Sequence, residues 1–291
     1  MKIKIKHIGL IGICIFSLTC GYILNAPAQN KQNLIDTVEK TVNFAGTTAK
    51  ATDSASISDN DILQNKMLNS IDYFNSAIGT FTYFDKKNNI DFTVDYKVRL
   101  GNNPSSYMKV INTNGNVQIS ICDGNNLERY SENTKEYTSA IVTKKNPNNE
   151  DKEKYFSKNR YNTFDNKKSY FYRDDPACMG LASQSLFSQE RALGFLKDYN
   201  MWNITGDEKL LGYEVKVIEG KLNDDYSNKF GASKFKWLVE KNTGILLKEE
   251  LFNSNEEVIR KLETTSFKLN LDIDNNTFKK DKSTYSKANS N

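Results

Sequence analysis

From Ile90 to Leu100 apolar and polar residues alternate without a break: Ile90, Phe92, Val94, Tyr96, Val98 and Leu100 on one side, Asp91, Thr93, Asp95, Lys97 and Arg99 on the other. Side chains of an extended strand point to opposite faces in turn, so this pattern buries one face of a strand and wets the other. Such a strand needs neighbours, because its backbone donors and acceptors must be paired where they are buried. The sequence supplies them at short range. Gly101-Asn102-Asn103-Pro104 turns the chain into a run around Met108 and Val110, and Asn114-Gly115 marks a hairpin before Val117, Ile119 and Ile121. Asp123-Gly124 turns it again toward Leu127 and Tyr130, and a further strand runs from Tyr137 to Val142. Consecutive strands joined by short turns make an antiparallel meander.

The last third repeats the theme. Glu208-Lys209-Leu210-Leu211-Gly212 leads into Tyr213, Val215 and Val217, and strands follow at 234–239, 244–252 and 258–267, with turns at Lys241-Asn242-Thr243-Gly244 and Asn253-Ser254-Asn255. A helix should precede each meander. Ser58 and Asp59 have the character of N-cap residues, and Leu63, Met67, Ile71, Phe74 and Ile78 then recur at three and four, which predicts one helix of about five turns. Leu186, Phe187, Leu193, Phe195 and Leu196 suggest the second helix. Helix, meander, helix, meander is an α+β layout: a large antiparallel β-sheet that must curl, with helices packed on its concave face.

A chain of 291 residues, 38% hydrophobic, can bury one large core. Residues 1–28 have the form of an export signal: Lys2, Lys4 and Lys6, an uncharged apolar run from Ile8 to Leu24, then the small-x-small pattern Ala26-Pro27-Ala28. The body is therefore expected outside the cytoplasm, anchored to a membrane through its N-terminus. The apolar run is about long enough to span a bilayer uncleaved. Cys20, followed by Gly21, stands where a lipidation cysteine would stand, although Ser17 and Thr19 depart from the usual flanking residues. Cleavage after Ala28 is the third route, and all three stay open. Residues 29–57 read as a polar tether, 58–279 as the β-sheet domain, 143–172 as a lysine-rich polar insertion within it, and 280–291 as a polar tail.

The formal net charge is +4, and the three leader lysines supply most of it, so the near-neutral body gives no case for nucleic acid. The single histidine, His7, lies in the leader, which leaves the body without an imidazole for a catalytic triad or a zinc site. No phosphate-binding glycine loop or dinucleotide fingerprint is present, and neither a catalytic residue, a cofactor nor a metal is expected. Asp174 and Asp175 are the most pointed carboxylates for a paired-acid mechanism, but adjacent side chains diverge and Asp-Asp-Pro ordinarily caps a turn. Asp59 with Asp61, and Asp272 with Asp274, lack the ordered ligand loop of a calcium site. Cys122 and Cys178, the two cysteines of the body, either pair as a disulfide or remain inert thiols.

Leu211-Gly212-Tyr213-Glu214-Val215, Lys236-Trp237-Leu238-Val239-Glu240, the return strand from Thr243 to Glu250 and the late Asn270–Phe278 together resemble the lipoprotein-carrier and sigma-regulator superfamily typified by LolA and RseB. The likeness runs over roughly residues 60 to 279, takes in Cys122-Asp123-Gly124-Asn125-Asn126-Leu127, and marks a fold rather than a chemistry. It implies a half-open barrel. Within the superfamily the leader, Arg173-Asp174-Asp175-Pro176 and the Trp237 strand are most similar to the germination lipoprotein GerS and GerS-related proteins. That resemblance implies a non-catalytic partner of an exported N-acetylmuramoyl-L-alanine amidase, acting in spore cortex maturation and germination. The alternative is a carrier or sensor of a lipid or lipoprotein held in an apolar cavity.

Overall fold

The computed structural model describes residues 58–143, 152–164 and 167–288. All belong to one compact unit spanning Thr52–Asn291. The leader, the tether and Cys20 lie outside the described residues.

The alternation at 90–100 becomes β2 (Ile90–Arg99), with Phe92, Val94, Tyr96 and Val98 buried. It pairs on one side with β3 (Ser105–Asn112), and the meander continues through β4 (Val117–Cys122), β5 (Asn126–Ser131) and β6 (Glu136–Ile141). On its other side lies β1 (Ser76–Asp85), in register from Ser76↔Arg99 to Asp85↔Ile90. This corrects the sequence expectation, which ran the first helix through Phe74 and Ile78. The helix α1 (Asp59–Leu68) stops before them, closed at its start by a reciprocal Ser58–Asp61 capping box, and a single 3-10 turn at Ser70–Asp72 leads into the strand. Both patterns occur in the segment; the strand prevails because β1 is hydrogen-bonded on both sides.

β1 is the seam of the sheet. It also pairs with β13 (Val258–Leu269), which leads through β12 (Leu246–Phe252), β11 (Lys234–Glu240) and β10 (Tyr213–Lys221) to the edge strand β9 (Trp202–Leu210), a strand the sequence pattern did not reveal. Every ladder among β1–β6 and β9–β13 is antiparallel. Gly79 is required at the seam, because a Cβ there would lie 2.5 Å from the Tyr96 hydroxyl oxygen and 2.6 Å from the Ser266 carbonyl oxygen.

The sheet curls without closing, an α+β fold with helices packed on its concave face. β10 and β13 are separated by two strands, which in a flat sheet would hold them about 14 Å apart. Here the Tyr213 ring centroid lies 4.8 Å from that of Phe267, and the Leu269 amide donates to the Tyr213 hydroxyl at 3.2 Å. Twist accumulated over so many strands produces this.

The second helix is broken into a 3-10 turn (Gly180–Ala182), α2 (Ser183–Leu186) and α3 (Gln189–Phe195). Met179, Ala182, Leu186 and Phe187 pack with Phe81, Val94, Tyr96 and Met108 to form a lid on the first meander. α1, α3 and the short α4 (Asp224–Phe230) gather around Trp202, Phe235, Trp237 and Val239 in a second core. The β11–β12 turn is wedged against α1: Gly244 has φ +75, and a Cβ there would meet the Lys66 backbone at 2.4 Å.

Part of the insertion packs rather than floating in solvent. Its hairpin β7 (Tyr161–Phe164) and β8 (Lys167–Tyr170) follows a segment in which Tyr155 and Arg160 are buried. The Asn65 side chain on α1 accepts the Ser157 amide at 2.7 Å, and Arg160 donates to the carbonyls of Tyr155 and Phe171 and to Gln189 on α3. The stretch 280–291, read as a polar tail, is docked as far as residue 288: β14 (Ser286–Lys287) pairs in parallel with β6.

Candidate binding surfaces

The side of β1–β3 opposite the lid is open. Because β2 alternates, burying Val94, Tyr96 and Val98 turns Asp95, Lys97 and Arg99 to this outer face, and register brings Thr80 of β1 beside Asp95 and Lys109 of β3 beside it on the other side. Ile78, Thr80, Asp95, Lys97, Tyr107, Lys109, Ser266 and Thr277 line a depression of about 530 Å³. The Thr80 hydroxyl donates to Asp95 at 2.8 Å. Burial pushes the Tyr107 hydroxyl above its ordinary pKa, so it remains a neutral donor. Two ammonium groups, one carboxylate, hydroxyls, Ile78 and the Tyr107 ring can hold a polar chain segment.

One wall of this depression is the closing segment of the chain, which crosses the outer face as a strap. Ile273 and Phe278 pack with Ile119, Ile121 and Tyr130, and the Arg99 guanidinium lies 4.9 Å from the centre of the Phe278 ring. The Arg99 Nη1 donates to the Asn275 side chain at 2.6 Å. Further on, the Tyr285 hydroxyl donates to Glu132 at 2.7 Å, Lys280 pairs with Glu132 at 3.0 Å, and Lys282 pairs with Glu128. Glu132 is held far below the usual carboxylate range, to about 2, first by the Lys135 ammonium and then by Tyr285. The outward-facing charges of β2 and β3 were legible from alternation. The strap was not, since Tyr285 and the lysines around it carry no periodic signal.

The space between sheet and lid is filled. Phe81, Val94 and Tyr96 from the sheet and Met179, Ala182 and Leu186 from the lid are each at most 1% exposed and form one cluster. A second depression, about 130 Å³, is lined by Glu190, Arg191, Phe195, Tyr226, Lys229, Phe230 and Arg260, a strongly charged set. Two of these residues hold Glu249, which is fully buried, with its carboxylate 2.6 Å from Arg191 Nε and 3.4 Å from Arg260 Nε. Burial opposes the Glu249 charge, but the two guanidiniums outweigh it and hold the carboxyl below its ordinary value. Such a carboxylate is an anchor rather than a proton acceptor.

Asp175 is half-buried and accepts the amides of Ala177 at 3.0 Å and Met179 at 2.5 Å, the capping role anticipated for Asp-Asp-Pro. Burial raises its pKa to about 6 against those hydrogen bonds. Asp61 closes the α1 capping box and Asp274 caps the 3-10 turn at Asn275–Phe278. Among the described residues no three His, Cys, Asp or Glu side chains gather as a metal site would need. Cys122 and Cys178 are brought together as thiols, with the Cys178 side chain hydrogen-bonded to Cys122. Among the described residues no helix is long and apolar enough to cross a membrane.

No protein-family model and no curated protein sequence matches the chain. Among solved structures it is similar to MucB in the MucA/MucB complex of Pseudomonas aeruginosa, at 14% identity and a TM-score of 0.42, over 77% of this chain; it spans 62% of the length of that one. It is also similar to the lipoprotein LppX of Mycobacterium tuberculosis, at 10% identity and a TM-score of 0.36, over 75% of this chain and 100% of that one. LprF from Mycobacterium bovis is a third, at 11% identity and a TM-score of 0.38, over 72% of this chain and 92% of that one.

Proposed function

We propose that this chain is a non-catalytic, exported binding protein that is held at a membrane by its N-terminus and engages a protein partner through the outer face of β1–β3. The observation that carries this reading is the pairing of a filled interior with an open, polar outer face: Tyr96 and Met179 occupy the space an apolar ligand would need, whereas Lys97, Asp95 and Lys109 stand free of the lid on the other side. Export follows from the basic, then apolar, then small-x-small leader. The partner class follows from the resemblance to GerS-related proteins: an exported N-acetylmuramoyl-L-alanine amidase of the spore cortex, whose active form the chain stabilises. Regulation of this kind needs only differential affinity for two states of the enzyme.

The test is to add the purified chain to such an amidase acting on muropeptides. The expected result is a rise in amidase activity that saturates as a binding curve, with no turnover by the chain alone, with or without zinc. Turnover by the isolated chain would refute the reading. Saturable lipid binding without any effect on the amidase would replace it with lipid carriage.

A further inference from the structure

Cys122 ends β4 and stands opposite Ser106 of β3 in the antiparallel register, so the two side chains share the lid-facing side of the sheet. The Ser106 hydroxyl donates to the carbonyl of Cys178 at 3.1 Å, which ties the lid backbone to the residue beside Cys122. From the other side, Asp175 accepts the amides of Ala177 and Met179, the two neighbours of Cys178, and both neighbours are fully buried. Cys178 is thereby fixed in the left-handed region, at φ +52, with its side chain hydrogen-bonded to Cys122. That hydrogen bond, joined by one from the Gly124 backbone, holds the Cys122 thiol below its ordinary pKa against burial and the Asp175 charge. Cys122 is fully buried and Cys178 is partly exposed.

We propose that Cys122 and Cys178 are an oxidisable pair, and that an intramolecular disulfide between them fastens the lid to β4. The reagent is a disulfide of an exported thiol oxidoreductase, or a small-molecule disulfide, and its supply rests on the export reading above. The accessible Cys178 thiolate attacks one sulfur of that disulfide, forming a mixed disulfide and releasing one thiolate. The Cys122 thiolate then attacks the Cys178 sulfur and expels the second thiolate. Two electrons pass from the protein thiols to the reagent, whose two sulfurs take up the two protons. The residues stand 56 positions apart, so the bond closes a long loop of the unfolded chain. Closure of that size should raise the melting temperature by about 10 °C.

The test uses the full chain, purified reduced, incubated with oxidised glutathione, quenched with N-ethylmaleimide and mapped by peptide mass spectrometry, which separates this pair from Cys14 and Cys20. A cross-linked Cys122–Cys178 peptide as the main product, with a melting shift of about 10 °C that dithiothreitol reverses, is expected. Cys178→Ser should abolish both, and comparison of the oxidised with the reduced wild-type chain remains decisive if that variant does not fold. A persistent glutathione adduct on Cys178 with Cys122 labelled by maleimide, a bond between two chains, or a linked chain with an unchanged melting point would overturn the proposal. Maleimide trapping in cells separates it from the export reading. A pair that links in the purified chain but is reduced in cells upholds the pair and shows that no oxidant reaches it there, whereas a pair that does not link when purified fails wherever the chain resides.

Discussion

Around the β11–β12 turn both faces of the sheet are buried: Trp237, Val239 and Leu246 pack under the helices, and Val217, Leu238 and Leu247 turn into the core they share with Phe81 and Tyr96. On β1–β3 the lid face is buried throughout, and the other, covered only at one end by the strap, carries Thr80, Asp95, Lys97 and Lys109. The difference assigns roles. A strand packed on both faces can be altered only at a cost to folding, whereas a strand packed on one face can vary its outer residues freely and is the surface on which recognition can be built.

The two regions also each hold a carboxylate, under opposite conditions. Glu249, beneath β11–β13, is flanked by two guanidiniums and held below its ordinary pKa. Asp175, in the lid, has backbone amides, the Cys122 thiol and an adjacent aspartate for company and no guanidinium among the groups that shift it, and burial raises it to about 6. One region is thus built to keep its charge and the other to resist it.

Trp237→Ala should break the doubly buried region most severely. The ring is fully buried, stacks on Phe195 at 5.2 Å and lies tilted against Phe235 at 4.7 Å, so its loss should cost about 3–5 kcal/mol in urea unfolding. A variant that is folded and equally stable but does not bind its partner would make Trp237 a contact residue and dissolve the comparison.

The carboxylates sharpen it through pH. Asp175 has a folded pKa above its unfolded value of 3.8, so the folded chain binds the extra proton; its contribution is complete below that value and is lost as pH rises to about 6. The loss is on the order of 3 kcal/mol at most, and Asp175→Asn should flatten that slope. Glu249, with a lowered folded pKa, contributes above its unfolded value and loses that contribution on acidification, the opposite sign. Stability curves of the wild type and Asp175→Asn between pH 4 and 7 read this directly; an identical slope in both would show that Asp175 does not titrate in that window.

The smallest effect on folding should come from the open face. Lys97→Ala with Lys109→Ala should change stability by about 0.5 kcal/mol or less while reducing amidase activation severalfold. Loss of stability with unchanged activation would move the binding surface elsewhere.

Local pattern determined the strands whose two faces differ: β2 to β6 and β10 to β13 lie within a few residues of where alternation and the Asn114-Gly115, Asp123-Gly124 and Thr243-Gly244 turns put them. Asp-Asp-Pro was legible as a turn cap, and the absence of histidine from the body was plain from the sequence alone. The segment from Asn75 to Asp85 could satisfy a helical spacing or a strand spacing, and only pairing with β2 and β13 on both sides decides between them. β9 and the strap are likewise invisible locally: one is held chiefly by its ladder with β10, the other by Tyr285, Lys280 and Lys282 meeting carboxylates some 150 positions earlier. The contact between Cys122 and Cys178 belongs to the same class, as does the depression bounded by Thr277 and Lys109. Period and turn chemistry are written in neighbouring residues, but a site whose groups come from distant strands exists only once the sheet has curled and brought them together.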